Sequence, residues 1–164
     1  MTARHAALIV CVMLLAAGLY ASGPAADPAA DVAAVLDSFH DAAAKADGPR
    51  YFACLADDAV FLGTDASERW TKPEFEKFCA PYFNQGIGWK YVPRDRRVSL
   101  APGGQVAWFD ELLDNAKYGT CRGSGVLVRS ASGWKITQYN LSIPIPNAIA
   151  GDVVQRIHAA EKKP

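Results

Sequence analysis

Five side chains in this sequence pair acid–base chemistry with a setting able to tune it: His40, Asp65, Glu68, Asp110 and Glu111. Asp65 and Glu68 belong to the stretch Phe61-Leu62-Gly63-Thr64-Asp65-Ala66-Ser67-Glu68-Arg69-Trp70. There an apolar run ends in a turn, and an acid, a base and a large aromatic arrive together. A strand that gives way to a charged turn sets polar groups at the mouth of a cavity. An apolar wall raising the pKa of either acid would make it a general base. The plainer account is an Asp that stabilises its turn and a Glu68–Arg ion pair. Trp70 is either core wall or stacking surface.

Asp110, Glu111 and Asp114 interrupt an otherwise apolar strand-like run. Alternation puts Asp110 on a face with Trp108 and Leu112, and Glu111 with Phe109 and Leu113. Both faces are apolar, so either acid is able to point inward. A buried carboxylate costs several kcal/mol unless paired, so whichever one does so needs a partner. Arg122, on the following strand, is within register reach for a cross-strand pair. His40 is the histidine of the expected core region. It is either a proton-exchanging group near pH 7 or a hydrogen-bonded helix residue. Tyr51, Trp70, Phe83, Trp108, Tyr118, Arg122 and Asn140 are the candidate ligand contacts, chosen as aromatic walls and hydrogen-bonding groups.

Several chemistries find no support. There is no phosphate loop, serine elbow or nucleotide fingerprint. Gly123-Ser124-Gly125 holds a serine, but mid-strand rather than at a strand-to-helix turn. No CxxC or paired-His spacing indicates a metal, and no cofactor is expected. With 17 basic and 17 acidic residues, no excess charge draws the chain to nucleic acid or anionic lipid. The one basic cluster, Arg94-Asp95-Arg96-Arg97, reads as a solvated strand face.

The N-terminus has the order of a secretory signal: Arg4 and His5, an apolar stretch over Ala6–Ala21, then small residues and Pro24. The stretch is shorter than the roughly 20 residues of a spanning helix, so removal is expected over anchoring, with residues 1–23 cleaved. Val10 before Cys11 argues against a lipid-attachment site. The mature chain is then periplasmic or extracellular, with no membrane contact after removal. Cys54, Cys79 and Cys121 remain, and three cysteines cannot all pair internally. A Cys54–Cys79 bridge and three buried free thiols are both open.

Around these groups the elements are legible. Residues 24–30 form a linker. Val32, Val35, Leu36, Phe39 and Ala43 make one helical stripe, opened by Asp27 as cap and Pro28 as first residue. Asp47-Gly48-Pro49 breaks it. A short second helix over Tyr51–Leu55 is closed by Asp57-Asp58, and Ala59–Thr64 is a strand. Thr71, Pro73 and Glu74 start a third helix. Four strands follow, Trp89–Leu100, Gln105–Asn115, Thr120–Ser130 and Trp134–Ile145, joined by short Gly-bearing turns. A helix or tail over 147–164 ends the chain. Helices first and a curled antiparallel meander after is an α+β layout, with a hollow between the two layers as the ligand site.

Three segments carry a family resemblance: Ala59–Asp65 with Glu68-Arg69-Trp70, Val106–Glu111, and Gly123–Leu127 with Gly133-Trp134-Lys135-Ile136. In these the chain resembles the nuclear transport factor 2-like superfamily, in its SnoaL-like branch, over residues 31–146. The resemblance implies a cone-shaped fold, N-terminal helices on a strongly curved antiparallel sheet around a central pocket, often a homodimer through the sheet. It spans isomerases, cyclases and dehydratases using a pocket carboxylate or histidine, and domains without a reaction. The expected partner is a small apolar or partly polar molecule. The expected role is binding it, with an acid–base enzyme and a dimeric interaction module as alternatives.

Overall fold

The computed structural model describes residues 27–161. The expected signal and most of the expected linker lie outside the described residues. Helix α1 (Pro28–Ala44) opens as its sequence predicts: Asp27 Oδ1 accepts a hydrogen bond from Ala29 N at 3.0 Å, and Pro28 occupies the first turn. Val32, Leu36, Phe39 and Ala43 are buried along one stripe, with His40 beside them. Helix α2 (Gly48–Ala53) is one short turn-and-a-half capped by Asp47. Helix α3 (Lys72–Phe83) begins with the predicted capping box, in which Glu74 and Thr71 bond reciprocally.

The strands are β1 (Leu55–Leu62), β2 (Arg69–Thr71), β3 (Val92–Leu100), β4 (Val106–Asn115), β5 (Gly119–Ser130) and β6 (Gly133–Ser142). They form one sheet in the order β2-β1-β6-β5-β4-β3. The four long strands are the expected antiparallel meander. Three features differ from expectation. Asp57-Asp58 do not close α2; they lie inside β1, which starts four residues before Ala59 because Leu55 is itself buried against the sheet. And β1 runs parallel to β6, so the sheet is mixed. The chain reaches β6 from β1 only after the whole meander, and a long crossover permits parallel pairing. The short strand β2, unmarked in the sequence, extends the β1 edge antiparallel.

Alternation along β4 resolves which acid points inward. Ala107, Phe109, Glu111 and Leu113 are buried on the helix-covered face; Val106, Trp108 and Asp110 are exposed on the other. Register carries this division across the sheet. Trp108 stands opposite Val126, Asp110 opposite Ser124, and Leu112 opposite Arg122. The three cysteines are buried and unpaired, behaving as small apolar side chains. Helix α4 (Ala150–Glu161) follows a 3-10 turn at Asn147–Ile149, and none of its residues is buried.

Candidate functional site

Two adjoining features occupy the space between helices and sheet: a buried charged network and an aromatic cleft. The network centres on Glu111, 1 % exposed. His40 Nε2 lies 2.6 Å from Glu111 Oε1, and Arg96 Nε donates to Glu111 Oε2 at 2.7 Å. Arg96 Nη1 donates onward to Asp37 Oδ1 at 2.7 Å and to the Ala33 carbonyl at 3.0 Å. Three residues of α1, one of β3 and one of β4 are thereby tied together. In the tautomer whose Nε2–H donates to Glu111 Oε1, Nδ1 is the imidazole's acceptor nitrogen.

Arg96 reaches this position through a bulge. The β3–β4 register runs Arg94↔Leu112 and then Arg97↔Asp110, so Asp95 and Arg96 together oppose the single residue Glu111. Asp95 takes the left-handed conformation (φ 53°) that the extra residue demands. The bulge turns Arg96 onto the helix-facing side, while Arg94 stays outside and pairs with Asp95 and Asp114. Burial opposes the Arg96 charge, but its hydrogen bond and attraction to Glu111, then those to Asp37, outweigh it and push its pKa further up. On the other flank Gly123 faces Glu111. A Cβ there would stand 2.5 Å from the Tyr139 hydroxyl and 3.1 Å from Glu111 Oε1, so only glycine lets both approach. Burial, then the Glu111 charge, lift the Tyr139 hydroxyl well above the usual phenol range.

The cleft has a volume of about 450 Å³ and is walled by Phe61, Trp70, Phe75, Phe78, Trp89 and Leu141. Its rings stack on one another: Phe61 on Phe75 at 4.0 Å, and Trp70 on Phe78 at 4.8 Å between centroids. Its rim carries Glu68, Lys90, Lys117 and Tyr118. A spur of about 20 Å³ leads inward, room for one water. It shares Phe61, Trp89, Tyr91 and Leu141 with the cleft and ends on His40, Tyr51 and Tyr139. The imidazole thus stands between Glu111 and the inner end of the hollow. Burial, then nearby Cys121, Tyr118 and Glu68, push the Tyr91 hydroxyl up to about 12, so it is a neutral donor at ordinary pH.

The candidate residues divide between these features and elsewhere. His40 and Glu111 meet in the network. Glu68, Trp70 and Tyr118 line the cleft, and Tyr51 borders the spur. Phe83 is a core residue whose ring lies tilted against Trp89 at 4.6 Å between centroids, and it does not line the cleft. Asp65 is an exposed turn residue, accepting from the Ser67 hydroxyl and from Ser67 N at 2.8 Å, and these bonds, the hydroxyl's first, hold its pKa below the ordinary carboxylate value. Asp110, Trp108, Arg122 and Asn140 share the outer face of the sheet, because each sits at an outward position of its strand. Arg122 opposite Leu112 cannot serve Glu111 across the sheet; Arg96 does so instead. Arg96, Tyr91, Lys90 and Lys117 are site residues that the sequence reading missed. Arg96 was hidden because the bulge breaks alternation, and the others sit in connections, where periodicity carries no facing information. Among the described residues no three His, Cys, Asp or Glu side chains gather as a metal site, and no helix is long and apolar enough to cross a membrane.

A curled sheet, lidded by helices, with a blind aromatic hollow defines a cone-type α+β domain. The SnoaL-like domain profile matches residues 32–146, most of the chain, and the protein belongs to this family. No curated protein matches it. Similar solved structures include an NTF2-like protein of unknown function from Pseudomonas putida, 15% identical, covering 73% of this chain and 88% of that one with a TM-score of 0.61. A DUF3225-family protein from Pectobacterium atrosepticum is 19% identical, covering 73% and 93%, with a TM-score of 0.61. A ketosteroid isomerase-like protein from Erwinia carotovora atroseptica is 20% identical, covering 73% and 98%, with a TM-score of 0.55. At these identities the likeness is one of fold, and fold does not select a reaction.

Proposed function

We propose that this chain is an exported domain that binds a small, largely apolar molecule in the aromatic cleft. The observation carrying this reading is the 450 Å³ hollow walled by Phe61, Trp70, Phe75 and Phe78. Concave aromatic surface with a few polar groups at its edge is the common form of a small-molecule site. Trp70 and Trp89 line it and supply an intrinsic signal. Titration with naphthalene-type probes is expected to quench their fluorescence and to raise the melting temperature, since a ligand held only by the folded form stabilises it. Absence of both responses across a series of ring-bearing probes ends the reading. Export rests on the order of residues 1–24, and N-terminal sequencing of protein secreted from a bacterial host tests it.

A second reading is favoured by one observation, the placing of His40 at the inner end of the spur with Glu111 behind it. A carboxylate that orients an imidazole and balances its positive charge is a proton-transfer device. In this reading the bound molecule carries an acidic C–H, and His40 Nδ1 removes and returns its proton. Incubating an enolisable cyclic ketone with the protein in heavy water, and following loss of the C–H signal by NMR, tests it. Exchange no faster with the native protein than with His40→Gln rejects it.

A homodimer through the sheet would cover Trp108, 49 % exposed, and its neighbour Val106. Arg97 and Asp110 stand beside them on that face, so it is mixed in character. Sedimentation of the purified protein decides the oligomeric state.

A further inference from the structure

The rim of the cleft is unevenly charged. Lys90, just before β3, and Lys117, in the β4–β5 turn, both line it; among the described residues Glu68 is the one acid that does so. The two lysines are built to stand together. Asn115 Nδ2 donates to the Lys90 carbonyl at 3.0 Å, while Asn115 Oδ1 accepts from Lys117 N and Tyr118 N, each at 2.9 Å. One side chain therefore pins both backbones at the same edge of the hollow. Among the described residues neither lysine amine is in an ion pair. Lys117 Nζ lies 4.8 Å above the Tyr118 ring, which holds it without neutralising it. Glu68 is half-buried on the opposite hairpin, with its Oε2 accepting from Asp65 N at 3.1 Å. The rim thus has two ammonium groups against one carboxylate that is already engaged.

We propose that the cleft takes an anionic amphiphile: a ring-bearing apolar body seated on Phe61 and Trp70, and a carboxylate head at Lys90 and Lys117. Apolar walls of low dielectric focus the field of the two ammoniums into the mouth. A carboxylate there would gain charge-assisted hydrogen bonds while staying partly hydrated. The rings that seat the body carry no charge, and the cationic lining residues are Lys90 and Lys117, so the ligand's charge lies at its outer end. This inference rests on the binding reading above and names the ligand class for the same cleft.

The test uses three probes of one shape: 2-naphthoate, the neutral 2-naphthamide and 2-naphthylmethylammonium, titrated by calorimetry at low salt. The native protein is expected to bind the carboxylate about tenfold more tightly than the amide, and the cation most weakly. The preference should shrink as salt is raised. The double variant Lys90→Gln/Lys117→Gln should bind the carboxylate no more tightly than the amide. The charge-preserving Lys90→Arg/Lys117→Arg should retain the preference, which guards against a folding artefact. Equal binding of the three probes by the native protein overturns the anion preference and leaves the apolar cleft standing. A carboxylate preference that survives the glutamine variant overturns the assignment to these lysines. Failure of all three to bind overturns this inference and the binding reading together.

Discussion

Glu111 shows how far one residue can be read. An acid in the middle of an apolar strand has to be either outward or partnered, and the structure makes it inward with two partners, His40 and Arg96. The need for a partner was legible in the sequence; its identity was not. A cross-strand choice depends on parity, and the bulge at Asp95–Arg96 shifts parity by one residue within a cluster that otherwise reads as solvated surface. The energetics follow from burial. Removing one member of a buried ion pair leaves the other charge stranded, at about 3–5 kcal/mol. Glu111→Ala is expected to cost about that much in urea unfolding, and a loss below about 1 kcal/mol would mean that its existing partner Asp37 suffices to balance Arg96. The bulge itself is testable at Asp95, whose φ of 53° suits glycine. Asp95→Gly should be tolerated. Asp95→Val places a β-branched residue in the left-handed region and should lose about 1–3 kcal/mol. Equal stability of the two variants would show that the backbone there is not held by the Glu111 contact.

At the scale of elements, legibility followed local signals. Capping chemistry and breakers are local, so α1 and α3 begin where Asp27 and Thr71 place them. The meander was legible because Gly-bearing turns join strands of period two. The parallel β1–β6 pair and the short β2 were not, since pairing between distant segments leaves no local mark. The same contrast separates well-anchored helices from α4. Thr71 and Glu74 satisfy the first turn of α3, which carries Phe75 and Phe78 to the cleft wall. Thr71→Ala should therefore cost about 1 kcal/mol and weaken probe binding in parallel, measured as a joint shift in melting temperature and affinity. Loss of stability with unchanged affinity would separate the helix start from the wall it positions. Helix α4 buries no residue and lies beyond the segment matched by the family profile. Deleting residues 147–164 is expected to change unfolding free energy by no more than about 0.5 kcal/mol. A larger loss would show that α4 supports the cone.

For the whole molecule, the aromatic interior that forms the cleft also sets how the protein meets alkali. Tyr51 and Tyr139 are buried inside the cone, and burial, the leading cause for each, lifts both hydroxyls well above the ordinary value of 10.0. Burial likewise pushes the Cys79 thiol from 9.0 to about 12 and is the largest cause lifting Tyr91 to about 12. Each group is neutral in the folded chain at pH values where the unfolded chain already ionises. A pKa raised by folding means that the unfolded state releases its proton first, so stability falls as pH rises. The contribution is therefore complete below pH 9, where the unfolded thiol begins to titrate, and is lost progressively toward pH 12. Melting temperature should be level from neutrality to about pH 9 and then decline steeply. The tyrosinate absorbance of the buried Tyr51 and Tyr139 should appear together with the loss of near-ultraviolet circular dichroism, because these rings cannot ionise in place. Glycine at Cys79 would open a cavity, so Cys79→Ser is the better control; it should lower stability at neutral pH yet flatten the first part of the alkaline decline. A full complement of tyrosinate reached while the protein remains folded would mean that water enters the hollow freely, and that the apolar wall proposed to hold a ligand is already wet.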